Sequence, residues 1–469
     1  MEVKKIIATG LITGLLAMNY APLSAVAIEE IKDAQISTDK KLTKKQNKAL
    51  IEKQNKIEYI NIAWWEGYSD PYLNDYIHKA LANNQDLKIA TLKVEESRQY
   101  AKMQFANELP HVSVGASPVI YKAPNSTSSS AAFAIPMIAS YEADIFLKNR
   151  DKTRSAKKIY EASQLQEKAT YIAVAGQVGA VYYNIVKLDK LIKIQEEIIK
   201  DRKQIYDLMK ISNDEGIVST ADLVRADKAY VTSETDLIEL KKAREIMLNA
   251  LAVLIGESPA NANDFKRISY DEITTDKPIP SEISSEVITQ RPDYLVAQKM
   301  LEKAGIDVRV AKKEFLPSID ILGLVSFATS SLAKNLNWET AIAGAGASAM
   351  LPLFTGGANI ANLKINKNKY EQTLLNYQKT NLTAIQEVND SLSTLKLDNE
   401  KYLKNLKTLE MEQKDFGYTQ LKYDQGVISY LDLLQKKETL LVMQKMVASS
   451  KTDCLVNQIS LYKAVAGNL

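Results

Sequence analysis

Apolar positions along the chain follow two periods, and the same succession of periods occurs twice. From Pro71 to Leu109 the spacing is helical, and Pro110 ends the run because proline has no amide to donate into a helix interior. His111 to Tyr121 then alternates, with Val112, Val114, Ala116 and Ile120 on one side and Ser113, Gly115 and Ser117 on the other. Pro124 to Ser130, rich in Asn, Ser and Thr, reads as a surface loop. A return strand, Ala131 to Ile145, sets Phe133, Ile135, Met137, Tyr141 and Ile145 against Ser140, Glu142 and Asp144, the alternation of a wall between lipid and water. In the second half, Ser318 to Ala328 and Trp338 to Leu351 occupy the equivalent places. The run of Ala, Gly and Ser from Ala341 to Ala349 has no face that its letters assign, and Gly344 and Gly346 point to close backbone approach or bending.

The helical stretches that follow the strands are unusually long. Between Leu147 and about Ile211 there is no proline and two glycines, Gly176 and Gly179, so roughly 65 residues can extend ~100 Å at 1.5 Å per residue. After a turn, a heptad seam runs through Leu223, Ala226, Tyr230, Ser233, Leu237, Leu240, Arg244, Met247, Leu251 and Leu254. A weaker seam runs through Leu433, Lys436, Leu440, Met443, Val447, Ser450, Cys454, Asn457, Leu461 and Ala464, which makes Cys454 a small packing residue.

These coincidences amount to an internal duplication. Asn213-Asp-Glu-Gly216-Ile-Val-Ser219-Thr-Ala-Asp222-Leu223 recurs as Tyr423-Asp-Gln-Gly426-Val-Ile-Ser429-Tyr-Leu-Asp432-Leu433, 210 residues later. Leu109-Pro110 matches Leu316-Pro317, Phe146 matches Phe354, Leu188-Asp189 matches Leu397-Asp398, and Gln85-Asp86 matches Pro292-Asp293. The repeats run from about 75 to 260 and from 285 to 469. Each holds a helix, a strand pair, a very long helix, a turn and a second long helix, so the fold class is mainly α with a small β part.

Composition agrees and narrows the chemistry. Apolar residues make up 46%, charged residues 25%, and Gly (17) and Pro (12) are sparse, the profile of a chain dominated by long helices. A net charge of +3 provides no basic surface for phosphate backbones, so nucleic acid is not an expected partner; the lysine-rich run from Lys40 to Lys56 reads as a solvated segment. One cysteine and two histidines, His78 and His111, rule out a cluster of soft metal ligands and leave no recognisable nucleophile pair. No cofactor, metal site or enzymatic activity is expected. Near the start, Lys4-Lys5, the apolar stretch Ile6 to Met18 and the small-x-small site Ala25-Val-Ala27 read as an export signal ending at residue 27, and no cysteine follows it for acylation.

Four strands cannot close, and a sheet in lipid must leave no open edge. Several chains must therefore share one barrel: two would supply 8 strands and three would supply 12. The motifs Asp144-Ile-Phe-Leu-Lys-Asn-Arg150, Gly216 to Leu223, Ala250-Leu-Ala-Val-Leu-Ile-Gly256, Arg291-Pro-Asp293, Phe315-Leu-Pro-Ser318 and Leu351-Pro-Leu-Phe-Thr-Gly-Gly357 resemble those of the outer-membrane efflux family of TolC/OprM type. Trp64-Trp65 through Asp70-Pro71 resembles its branch serving resistance-nodulation-division (RND) pumps.

The resemblance implies a homotrimer with a shared 12-stranded transmembrane β-barrel and a periplasmic coiled-coil α-barrel. It also implies docking to a periplasmic adaptor and to an inner-membrane transporter of RND or ABC type, with the barrel in outer-membrane lipid. On this plan 1–27 is the signal peptide, 28–70 an N-terminal extension, 71–109 the first helix, 110–146 strands one and two, and 147–260 the first long hairpin. The linker is 261–284, followed by a helix at 285–316, strands three and four at 317–354, and the second hairpin at 355–469. Tyr121, Tyr141, Phe327 and Trp338 would form an interfacial aromatic belt.

The function so implied is a passive exit duct for drugs or other small molecules. Control falls at the two turns. Gly216 and Gly426 suit chain reversal, Ser219 and Ser429 suit N-caps, and Asp222 and Asp432 sit at the third position of the following helix. By resemblance Asp432 corresponds to the gate aspartate, while Asp222 and Tyr423 correspond to a pair that ties neighbouring coiled coils. A second ring aspartate is here Gln435, and a latch arginine is here Ile428. Adaptor docking would use the tips, Gly216 to Asp222 and Gly426 to Asp432. Two other readings share the long hairpins: a duct for one-step protein secretion, and a periplasmic coiled-coil adaptor, which would need no amphipathic strand pairs.

Overall fold

The computed structural model describes residues 63–121, 130–273, 279–280, 282–329 and 341–465. The expected signal segment, the lysine-rich run, the loop after Pro124 and Trp338 lie outside them. A 3-10 turn, Ala63–Tyr68, leads to α1 (Pro71–Asn83) and α2 (Gln85–Ala106). The single helix expected from Pro71 to Leu109 is thus two. Asn84 leaves helical geometry (φ −56°, ψ 131°) to act as N-cap of α2, accepting from the Leu87 amide, and its buried side chain donates to the Leu254 carbonyl at 2.9 Å.

Four lines of strand follow the order β1/β2, β3, β4, β5, all antiparallel: β1 (His111–Val114), β2 (Ser117–Tyr121), β3 (Ser130–Glu142), β4 (Ser318–Thr329) and β5 (Ala341–Met350). The first expected strand is interrupted at Gly115 and Ala116, yet its register is unbroken. His111 pairs with Ser140 and Ser117 with Ala134, six residues along each strand. The interruption lies opposite Pro136, which accepts from the Gly115 amide at 2.9 Å but has no N–H to return. The return strand ends at Glu142 instead of Ile145, because Asp144 turns to cap the next helix, accepting from the amides of Asn149 and Arg150.

Register assigns the faces. Val112, Val114, Phe133, Ile135, Met137, Tyr141, Ile321, Val325 and Phe327 share one face, and through β4 the odd-numbered alanines of β5, Ala341 to Ala349, join it. His111, Ser113, Ser140, Glu142, Asp320, Ser326 and Ser348 share the other. Of the expected belt, Tyr141 and Phe327 lie on the apolar face; Trp338 and the Tyr121 side chain are outside the described residues.

The helices form one layer. α3 (Lys148–Asp214) and α4 (Thr220–Ile255) make the first hairpin; α7 (Ala358–Asp424) and α8 (Tyr430–Ala464) make the second, with a short α5 (Glu286–Gln290) and α6 (Pro292–Lys313) before the second strand pair. At 67 residues each, α3 and α7 extend ~100 Å. Nearest the sheet the order across the layer is α2, α3, α6, α7; beyond its middle it is α4, α3, α8, α7. The expected seam residues of α4 and α8 are buried or half-buried, Cys454 among them.

The principal core lies where these two halves meet. Trp64, Trp65, Leu73, Tyr76 and Ile77 pack on the middle of α3 (Val174, Val178, Tyr182, Tyr183, Val186), together with Leu251, Ile255, Leu455 and Ile459. Gly179 makes this possible: a Cβ there would stand 2.7 Å from the Trp64 ring and 3.1 Å from Ile459.

Candidate functional site

Both turns are built by the same local chemistry. α3 ends at Asp214, Gly216 takes φ +72°, its amide reaches the Asn213 carbonyl at 2.9 Å, and the Ile217 amide reaches Ser212 at 2.8 Å. α7 ends at Asp424, Gly426 also takes φ +72°, its amide reaches Tyr423 at 2.8 Å, and the Val427 amide reaches Lys422 at 2.9 Å. This paired bonding satisfies the last carbonyls of a helix and needs a left-handed residue, which glycine supplies without a Cβ penalty. The following helices then start on serine caps. Ser219 accepts from the Asp222 amide at 3.2 Å, and Ser429 from the Asp432 amide at 3.1 Å.

The aspartates differ in what else holds them. Asp432 closes a reciprocal box, accepting from the Ser429 amide at 3.1 Å and its hydroxyl at 2.6 Å. Asp222 accepts from the Ser219 hydroxyl at 2.6 Å and pairs with Arg225 at 2.8 Å. The serine hydroxyl, chiefly, holds each carboxyl below its ordinary range; the Ser429 amide assists at Asp432 and the Arg225 charge at Asp222. Both therefore stay ionised into mild acid. Tyr423 packs its ring against Tyr430, centroids 5.5 Å apart, and among the described residues it has no hydrogen bond to Asp222 within one chain.

The structure adds residues that no local motif announces. Tyr430 donates to Gln204 at 3.1 Å, and Lys437 to Asp201 at 2.8 Å. Arg202 bonds Glu438 at 3.0 Å and the Ala229 carbonyl at 2.8 Å, so one guanidinium joins α3, α4 and α8. Position 428, where the resemblance expects an arginine, holds Ile; within one chain the hairpins are joined by the bonds of Tyr430, Lys437 and Arg202. Asp201 is buried on α3 beside Gln195 and Ile198, and Lys437 of α8 meets its charge. At the apices Ile217 and Val427 are 71% and 66% exposed, so each turn presents an apolar residue beside its acidic cap.

Nothing in this geometry arranges a nucleophile, a base or a cation cage; it holds two matched turns, each with an ionised carboxylate and an exposed apolar tip, at the end of the helical layer away from the sheet. The sequence model for outer membrane efflux proteins matches the chain over residues 76–257 and 283–467, once on each repeat. The cation efflux system protein CusC of Escherichia coli K12 is 26% identical over 410 residues, covering 87% of this chain and 89% of that protein. The toluene efflux pump outer membrane protein TtgC of Pseudomonas putida is 26% identical over 417 residues, covering 86% and 84%. The crystal structure of the Campylobacter jejuni outer membrane channel CmeC superposes with a TM-score of 0.80 at 24% identity, covering 88% and 89%.

Proposed function

The chain belongs to the outer membrane efflux protein family, and from that premise we propose that three copies form one passive duct, closed at its inner end by the Asp432 turns and carrying out no reaction of its own. It is an outer membrane efflux channel. The observation that carries a shared barrel is the open sheet, and the number three follows the family: among the described residues, four lines of strand end in two unpaired edges, β1/β2 and β5. A sheet with one largely apolar face cannot leave such edges in hydrocarbon. Three copies give 12 strands, and the layer edges, α4 and α2 on one side and α7 on the other, then meet between neighbours.

In such a ring each turn occurs three times around the axis. Asp432, ionised and capped, supplies three carboxylates at one level, an arrangement that admits cations and hinders anions at a constriction. Asp222 and Tyr423, unconnected within a chain, become available across the interface between chains. Ile217 and Val427, beside Gly216, Ser219, Gly426 and Ser429, supply the exposed apolar contact for a periplasmic adaptor, and through it for an inner-membrane transporter. The relatives are named for cations and for toluene, cargoes with no chemistry in common; this supports a wall that does not select and leaves selection to the pump.

The test is conductance. Asp432→Ala in planar bilayers is expected to raise single-channel conductance and weaken cation preference, while a channel unchanged in both would remove the acidic gate. Crosslinkers placed at Ser219 and Ser429 are expected to capture a periplasmic partner in cells.

A further inference from the structure

The connectors between sheet and helices carry two features that the duct itself does not require. The first is apolar exposure: Ile145, Phe146, Leu147, Phe315, Leu316 and Phe354 all present side chains to the surroundings, Phe354 at 91% exposure. The second lies immediately below. Asp151, its side chain 2% exposed, is shared by three cations: Lys313 at 2.7 Å, Arg154 at 3.0 Å and Arg309 at 3.6 Å. One carboxylate balances one of them, and the two arginines remain half-exposed.

The exposed basic groups share one face. On α3, Arg150, Arg154 and Lys157 follow steps of four and three, which stacks them on one side of the helix. Arg309 and Lys312 are exposed on α6, with Arg309 meeting the same Asp151 as Arg154. A cleft of about 360 Å³, lined by Lys152, Ser155, Ile159 and Asp307, occupies the opposite side of the two helices. Gly179, 29 residues after Arg150, is turned by only ~20° from it at 3.6 residues per turn; its face is covered by Trp64. Chain that packs on a duct with an open lumen must lie outside, so the basic face is outward. α3 and α6 are the central helices of the layer near the sheet, so assembly at its edges leaves this face uncovered.

We infer that this outward basic band, with the apolar connectors above it, binds the phosphates of anionic phospholipid headgroups in the leaflet facing the helices. The apolar connectors join the strand ends to the helices that carry the basic groups, and Arg150 to Arg154 covers ~6 Å of helix axis, comparable to the depth of one headgroup layer. A lipid phosphate supplies the counter-charge that Asp151 alone does not. The inference rests on the duct reading, because that reading puts the sheet in lipid and this face outside.

The test uses the full-length protein purified in detergent and titrated with phosphatidylglycerol or phosphatidylcholine, with bound lipid counted by native mass spectrometry. The wild type is expected to retain phosphatidylglycerol preferentially, and affinity to fall roughly five-fold for each cation removed. Arg154→Gln with Arg309→Gln is the principal variant. Lys157→Gln with Lys312→Gln repeats the measurement at exposed positions if the first pair disturbs folding, and Lys152→Gln on the cleft side is expected to change nothing. Equal retention of the two lipids by the wild type overturns the inference, as does wild-type retention by both double variants, or loss of a bound periplasmic protein from the variants with no lipid preference in any form. Failure to recover an outer-membrane trimer defeats the duct reading instead; a trimer without lipid preference defeats this inference alone.

Discussion

Two helices of identical length, at corresponding places in the two repeats, have opposite surroundings. α3 and α7 each span 67 residues, but α3 has twenty-two buried residues and α7 has three, Ala384, Val388 and Leu395. α3 is central: α2, α4, α6 and α8 flank it and residues 63–83 cover its middle. α7 is an edge, touched chiefly by α6 and α8. The duplication therefore preserved architecture while environment diverged, and the letters record that divergence. Gly179 admits Trp64, and its counterpart, taking the Leu188-to-Leu397 spacing, is Val388, which packs in a cluster with Leu395, Leu461, Ala464 and Val465. Tyr183 has Leu392 as its counterpart. Apolar residues left outside on α7, such as Leu375, Leu382, Leu397, Met411 and Tyr418, are the surface that a second copy would cover in the proposed trimer.

The sharpest break of this comparison is a matched truncation. Tyr183→Ala, at a side chain 1% exposed, is expected to cost about 3–5 kcal/mol in urea unfolding followed by far-UV circular dichroism. Leu392→Ala, at a partly buried site, is expected to cost about 1 kcal/mol. Equal losses would mean that the single-chain burial pattern misrepresents the assembled protein.

Next in size is the edge. Leu382, 68% exposed in one chain, is expected to be covered in the trimer, so Leu382→Asp removes about 2 kcal/mol at each of three interfaces. Native mass spectrometry should then find monomer with helical content retained. A variant as trimeric as the wild type would take α7 out of the interface.

A smaller effect separates the two helices at one position. Gly179→Ala places a methyl against the rigid Trp64 indole and is expected to cost about 1–3 kcal/mol by overpacking, read as a lowered unfolding midpoint. Val388→Ala in α7 tests the reverse, a small cavity instead of a clash, with an expected cost of about 1 kcal/mol.

What could be read in advance follows from the range of the interactions involved. The two 67-residue helices, the Gly216 and Gly426 turns and the Ser219 and Ser429 caps rest on bonds between near neighbours in the chain, and the duplication shows directly as matching letters 210 residues apart; these were legible. The break at Asn84 was not, because its cause is the Leu254 carbonyl, 170 residues away. The β5 faces were not, because alanine and glycine carry no alternation; only pairing with β4 assigns them. The strand end at Glu142 was masked by apolar Ile145, whose alternation outlasts the strand after Asp144 has turned to cap α3. Arg202 and its partners across three helices carried no local signature at all.

The smallest effect lies where the repeats differ in backbone. α3 begins on Leu147, a non-glycine residue at φ +59°, whereas α7 begins on Gly357 at φ +85° after Gly356 at +61°. A left-handed conformation costs a residue with a Cβ about 1–2 kcal/mol, and glycine in its place would lose about 0.5–1 kcal/mol through the freedom it gains unfolded. Leu147→Gly is therefore expected to raise stability by less than about 1 kcal/mol, since the Lys313 bond to its carbonyl and the Asp144 cap both involve backbone the substitution keeps. Glycine would be the easier residue, so a leucine here calls for a cause in its side chain, which is 41% exposed among the apolar connectors. The two readouts of Leu147→Gly are then expected to diverge, with the unfolding midpoint in detergent rising slightly and lipid retention by native mass spectrometry falling. A rise in both would mean that the strain at Leu147 serves nothing at the membrane.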